Sequence, residues 1–295
     1  MNQELIGALV ANSATLGVHW IYNPEYLEAL SEKESLLFQK QNKTHYDLAK
    51  PSYYSYPNAE IGSFTLQGNI LVWLYKGLKL NPNMTVNDYE DLLYSYLKPG
   101  GLYEGYVESY TKKMIHERLS KELNLASLDF IKTDDHLVGF IPYLVTRALN
   151  LPHSKAIELK GLFSTLDDYD IYYQMFDYIF LHINNMPIHK LLNEAIKLAP
   201  SKYQPNLEAA LKVSDTKSFI KDYAGINCQI PQSIPLILHM LNKDLSYEET
   251  IEWNAKIGGA SSDRGIILGA LLSKKYEIPK SWISKINLPF LQKSK

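Results

Sequence analysis

The segment that most restricts this chain runs from Trp253 to Trp282, WNAKIGGASSDRGIILGALLSKKYEIPKSW. Its pattern predicts a helix, a tight turn at Gly258-Gly259, a polar loop and a second, closely packed helix. Glycine adopts backbone angles that other residues avoid, so the pair marks the turn. Ser261, Ser262 and Asp263 all suit a helix N-cap, and one of them is expected to open the second helix. Gly265, Gly269 and Ala270 then fall along one side of it. An interior glycine costs roughly 1 kcal/mol against alanine. Two of them four residues apart therefore predict that another backbone or a ligand comes close. An exposed helix N-terminus behind a glycine turn is also an anion site, so function is expected to be read from this loop.

Elsewhere the apolar spacing is helical. Leu5, Leu9, Asn12, Leu16 and Trp20 recur at four-residue steps, with Gly7, Ala8, Ala11 and Ala14 beside them. Pro24 is expected to begin a helix through Leu30. Further helices are expected over Leu66 to Leu78, Asn87 to Leu97, Tyr106 to Leu119, Leu137 to Leu149, Ser154 to Phe163 and Tyr169 to Ile183. Ile188 to Leu198, Leu207 to Leu211, Ile234 to Leu241 and Tyr247 to Ile257 complete the set. Residues 39–58 are polar, aromatic and proline-punctuated and read as loop. Few segments alternate with period two, and no Gly-, Ser- or Pro-rich linker divides the chain. The reading is all-α, a single compact multi-helix domain over residues 1–295.

The formal net charge is -2, which gives no basic field for nucleic acid or an anionic membrane. One cysteine, Cys228, excludes an internal disulfide framework and suits a reducing, cytoplasmic setting. No apolar run approaches the ~20 residues of a membrane span. The apolar N-terminus lacks a basic leader and is interrupted by Asn12, Ser13 and His19, unlike a signal peptide.

The common phosphate-loop, dinucleotide, nucleophile-elbow and zinc-helix motifs are absent. Cys228 has no nearby sequence signal for a catalytic base and reads as an inert thiol. His182 and His189 read as structural or surface groups. The 22 tyrosines, with a run from Tyr89 to Tyr110, read as packing residues, although aromatic faces also stack on bases and sugars. Asp134 and Asp135 stand at an expected helix start. They either complement the helix dipole, worth roughly 0.3–1 kcal/mol each, or face a pocket as a carboxylate pair for metal or general-base use.

Four stretches together resemble the ADP-ribosylglycohydrolases, all-α enzymes related to the dinitrogenase reductase-activating glycohydrolase, a superfamily that includes jellyfish lens crystallins. GALVANSATLGVHWIY, residues 7–22, is similar to the opening helix, and its HWIY ending looks like the crystallin-related branch. TDDHLVGFIPYLV, residues 133–145, sits where the family has a loop and helix that help hold ADP-ribose. NCQIPQSIPLILHML, residues 227–241, resembles the helix before the last motif. NAKIGGASSDRGIILGALLSKKYEIPKSW resembles the closing motif, whose trailing I-P-x-x-W is the most specific part. The likeness runs from about residue 4 to residue 284.

The resemblance implies two divalent cations, Mg²⁺ or Mn²⁺, held by a Thr-Asp-Asp run and by an Asp-x-Asp-[Thr/Ser] run, which orient ribose hydroxyls and an attacking water. This chain departs there. Thr65 keeps the threonine, but Leu66 and Gln67 replace the aspartates. Ala260 and Ser262 replace the later pair, and Asp263 falls at the Thr/Ser position. Asn12 stands where many relatives have aspartate. No metal ligand set is assigned, because leucine and alanine cannot ligate and neutral glutamine and serine hold Mg²⁺ poorly. What the resemblance leaves is a cleft. Thr65, Ser261, Ser262, Arg264, Gly258, Gly259, His19 and Trp20 are its candidate substrate-binding residues, and Asp134, Asp135 and Asp263 its candidate catalytic acids or bases. The expected function is a divergent hydrolase of a glycosidic bond to ribose, acting on an ADP-ribose-like ligand or an ADP-ribosylated substrate. The alternatives are a non-catalytic nucleotide-binding protein and a crystallin-like structural protein.

Overall fold

The computed structural model describes residues 1–125 and 135–288, and within them there are helices and two isolated β-bridges but no strand. The first helices are α1 (Gln3–Ala14), α2 (Pro24–Ser31), α3 (Lys43–Leu48), α4 (Leu66–Leu80), α5 (Val86–Leu97) and α6 (Ser109–Glu122). After the undescribed residues come α7 (Phe140–Ala148), α8 (His153–Lys160), α9 (Asp168–His182), α10 (Ile188–Ile196) and α11 (Gln204–Lys212). The chain continues through α12 (Thr216–Tyr223), α13 (Ile230–Asn242), α14 (Tyr247–Ile257), α15 (Ser261–Lys275) and α16 (Lys280–Ile283).

Local chemistry sets many of these boundaries. Asn2 accepts from the Leu5 N–H to open α1, and Thr65 accepts from the Gly68 N–H to open α4. Thr85 and Ser246 each form a reciprocal capping box with an acid three residues on. The α14 bounds are those the periodicity predicts. Three short helices escape it: α3, inside the stretch read as loop, α12, whose only buried residue is Phe219, and α16, which has no buried residue. Such helices have too narrow an apolar stripe to stand out in sequence. Helix α6 begins at Ser109 rather than Tyr106, because the backbone is still extended at Glu108.

The centre of the fold is the pair α1 and α15. Helix α15 is buried without interruption from Ser261 to Ser273, and α1 is buried from Gly7 to Ala14. A helix enclosed on all sides cannot rely on one apolar stripe, so its packing is decided by size. Gly269 lies against Gly7 and Ala11, and Gly265 against Ala11. The close partner predicted from the two glycines is thus the α1 backbone. The Tyr247 hydroxyl fixes the same junction by donating to the Gly7 carbonyl at 2.6 Å.

Gly258 and Gly259 both have positive φ, +75° and +63°, as the turn requires. The turn is stitched to the end of the first motif: Trp20 N–H donates to Gly259 O and Gly259 N–H to Ile21 O, each at 2.7 Å. The expected N-cap differs from the one found. Ala260 occupies that position and makes no side-chain cap, while Ser261, Ser262 and Asp263 lie inside the first turn, all buried. The helix start is therefore not the exposed anion site that the sequence suggests. No helix among the described residues is long and apolar enough to cross a membrane.

Replacing Gly269 by alanine would bring a methyl to 2.6 Å from the Ala11 Cβ, and Gly7→Ala would bring one to 2.5 Å from the Gly269 carbonyl. Each should destabilise by about 1–3 kcal/mol through overpacking. Gly265→Ala meets Ala11 O at 3.2 Å and should cost less, since helix propensity offsets part of it. Equilibrium urea unfolding of the three variants tests this ranking.

Candidate functional site

Four helix ends converge on one buried polar knot. The end of α1 and the turn after it supply Asn12, Thr15, His19 and Trp20. The start of α4 supplies Thr65 and Gln67, the start of α6 supplies Glu108 and Tyr110, and the start of α15 supplies Ser261 to Arg264.

Asn12 is the clasp. Its Nδ2 donates to Thr65 Oγ1 at 2.8 Å and to the Ser262 carbonyl at 3.0 Å, while its Oδ1 accepts from the Thr65 N–H at 3.0 Å. Thr65 Oγ1 in turn donates to Asp263 Oδ1 at 3.1 Å. Ser262 and Thr15 hydroxyls meet at 3.1 Å, and the Ser262 N–H donates to His19 Nδ1 at 3.2 Å. With Nδ1 accepting, a neutral His19 carries its proton on Nε2, which stands 3.6 Å from Asp263 Oδ2. Burial and the neighbouring Arg264 charge hold the His19 pKa down at about 3, so the ring is neutral.

Asp263 is 1% exposed and Glu108 3%. Burial raises the Asp263 pKa to about 7, against the lowering pull of the Thr65 hydrogen bond and Arg264. Burial, and then the Asp263 charge, raise Glu108 well above the ordinary glutamate range. The two acids form one coupled pair that resists carrying two charges. Tyr110 and Gln67 lie near enough to favour the Glu108 carboxylate. Yet Glu108 Oε1, Gln67 Nε2, Tyr110 OH, Asp263 Oδ2 and His19 Nε2 are all buried without a hydrogen-bond partner. Buried polar atoms are normally satisfied, so several orphans gathered at one place call for an explanation.

Arg264 is wholly buried. Its Nε donates to Asn254 Oδ1 and its Nη2 to Gly258 O, both at 2.8 Å. Burial lowers its pKa to about 9, which leaves the guanidinium charged at neutral pH.

Trp20 covers the knot. Its ring stacks on His19 at 4.6 Å and stands edge-on to Tyr106 at 5.4 Å, with Tyr56 at 5.9 Å. Its φ of +66° is rare for a bulky residue and is held by the pairing to the glycine turn. Tyr22, Tyr106 and Cys228 pack around it, half-buried. His136 Nε2 lies 3.6 Å from Cys228 Sγ, a partner that sequence spacing could not reveal. Burial and then the Asp263 and Glu108 charges push the thiol up, so it is protonated and weakly nucleophilic.

The structure thus gathers Thr65, His19, Ser262 and Asp263 into one hydrogen-bonded knot, with Arg264 beside it and Trp20 above it. Gly258 and Gly259 serve it through the backbone. Ser261 is buried, and its carbonyl accepts from Asn254 Nδ2 at 2.8 Å. Asp135 is half-buried at the edge, where its carbonyl accepts from the Ile230 N–H and its charge reaches Cys228. Asp134 lies outside the described residues. The acid coupled to Asp263 is Glu108, which the sequence reading passed over. At the head of α6 it looks like any acid at a helix start.

The donor set does not fit a hard divalent cation. Among the described residues no three His, Cys, Asp or Glu are grouped to hold a metal ion. Asp263 Oδ1 is taken by Thr65, and the Ser262 hydroxyl by Thr15. Mg²⁺ takes octahedral oxygen shells built around carboxylates and waters.

The chain matches no family model. It is similar to Crystallin J1A of Tripedalia cystophora, at 22% identity over 95% of this chain and 90% of that relative. Crystallin J1B of the same animal is 21% identical over the same shares. Its fold is that of a solved structure described as an ADP-ribosylglycohydrolase-related protein complex, with a TM-score of 0.62 over 97% of this chain and 93% of that one, at 15% identity. The all-α fold implied by the sequence resemblance is the fold found.

The knot makes a prediction about pH. His19, lowered to about 3 from 6.5, takes up a proton on unfolding, so its contribution is present near neutrality and lost as pH falls below about 6.5. Asp263, raised to about 7 from 3.8, does the reverse: its contribution is present at acid pH and lost as pH rises between those values, with Glu108 acting in the same sense. Relative to the parent chain, Asp263→Asn should lose more stability on acidification and His19→Asn less. Denaturant midpoints across that window read the two slopes, and three parallel profiles would refute this account of the charges.

Proposed function

We propose that this chain is a divergent glycoside hydrolase of the ADP-ribosylglycohydrolase type, acting on a bond to ribose with two carboxyls in place of a two-metal centre. The observation that carries the reading is the buried Glu108–Asp263 pair with an unpartnered oxygen on each acid. Two acids in one desolvated environment do not both ionise at neutral pH. That division supplies one proton donor and one carboxylate, the pair that metal-free glycoside hydrolysis uses. Glu108, held above the ordinary glutamate range by burial and the Asp263 charge, would protonate the departing atom. Asp263, oriented by Thr65 and the neutral His19, would stabilise the anomeric carbon or activate water. Arg264 would supply fixed positive charge close by.

The ligand class is an ADP-ribose-like molecule or an ADP-ribosylated substrate. Its base or ribose would meet the aromatic face of Tyr22. Trp20, 9% exposed, has to swing aside for a bond to reach the acids. That burial is the observation favouring a second reading, in which the cleft binds without turnover or the chain serves structurally, as the word crystallin in the relatives' names suggests.

Hydrolysis of ADP-ribosylated peptide in the presence of a chelator separates these. The proposal expects turnover unaffected by chelation and reduced at least about a hundredfold by Glu108→Gln or Asp263→Asn. Paired Asp134→Ala and Asp135→Ala substitutions should leave turnover largely intact. If that double variant is dead and Glu108→Gln is not, the acids are wrongly assigned. Turnover that needs Mg²⁺ or Mn²⁺ would contradict the whole reading. No turnover, but a metal-independent thermal shift with ADP-ribose, would select the binding alternative.

A further inference from the structure

We propose a second ligand site, for a neutral mono- or disaccharide, in the cavity of about 710 Å³ on the outward side of α4. It is walled by the loop ahead of α4, by Asn69, Trp73 and Lys76 on that helix, and by Tyr103 to Tyr106 before α6. Tyr56 and Tyr106 stand between it and Trp20. It is therefore a neighbour of the acid pair and a separate space. Its size is within the usual range of small-molecule sites, about 300–1,000 Å³.

The lining chemistry selects the ligand. Trp73 has one face closed by Tyr96, stacked at 4.3 Å, while Tyr103 stands edge-on to it at 5.6 Å. Tyr103 is fixed by its hydroxyl, which donates to the Tyr106 carbonyl at 3.1 Å. The rings are thus held rigidly, Trp73 is itself buried, and the half-buried Tyr103 and Tyr106 are left to meet the C–H faces of a sugar, without the two parallel plates that a flat base would call for. One cation, Lys76, and one anion, Glu104, line the space, so their charges cancel. A phosphorylated ligand would call for a surplus of donors and positive charge. Asn58 and Asn69 also line it. A carboxamide both donates and accepts, as each sugar hydroxyl does. Asn69 is pre-set as an acceptor, because its Nδ2 donates to the Phe64 and Thr65 carbonyls at 3.2 and 2.9 Å, which turns its Oδ1 to a sugar hydroxyl.

Saturation-transfer NMR on the intact protein, with maltose, cellobiose and N-acetylglucosamine as probes, tests the site. Signal transfer to at least one probe is expected. Asn58→Ala with Lys76→Ala, both at exposed positions, should weaken it at least about tenfold, and Ala59→Trp, which fills the cavity, should abolish it. Excess ADP-ribose should not displace the sugar. Transfer to none of the probes, or transfer indifferent to these variants, overturns the proposal. Displacement by ADP-ribose would move the sugar to the Asp263 cleft, which also overturns it, while leaving the hydrolase reading untouched.

Discussion

The close antiparallel approach of α1 and α15 is the constraint on which the rest of this structure depends. Gly7 meets Gly269, Ala11 meets Gly265, and Thr15 meets Ser262, so the contacts step in opposite directions along the two helices. Small residues let the backbones come near enough for a short Asn12 amide to reach both Thr65 and the Ser262 carbonyl. A larger residue at Gly269 would run into the Gly7 carbonyl and the Ala11 methyl and hold the helices apart. Packing in the interior is thus what aims the polar groups at the helix ends.

The polar knot inherits its electrostatics from the same enclosure. Desolvation is the first cause of the shifts at His19, Glu108, Asp263 and Arg264 alike, and it acts in each case against the charged form. Arg264 keeps its charge because backbone carbonyls and Asn254 satisfy its donors. The acids, with unpartnered oxygens, give up part of theirs. One fixed guanidinium and a pair of acids that resist double ionisation thus share the same enclosure.

The sequence disclosed the frame of this arrangement more readily than its contents. Helical periodicity located α4, α9, α10 and α14 because each has a broad apolar stripe, whereas α3 and α12 have almost none. The glycine turn and the tight helix behind it were legible because glycine is conformationally and sterically distinctive. The burial of the α15 start was not, since SSD reads equally well as an exposed cap. Asp263 stood out by its motif position. Glu108 and the His136–Cys228 contact did not, because their partners lie far off in sequence and nothing in local spacing points to them.

The central claim is that Glu108 and Asp263 hold a proton between them at neutral pH with no metal in their midst. Carbon-13 NMR of side-chain carboxyls in the intact protein, followed across pH and then with Mn²⁺ added, measures it most directly. The account predicts a protonated carboxyl that titrates near neutrality, vanishes in Asp263→Asn and is not broadened by the paramagnetic ion. Two carboxylates fully ionised in mild acid, and broadened by Mn²⁺, would contradict it.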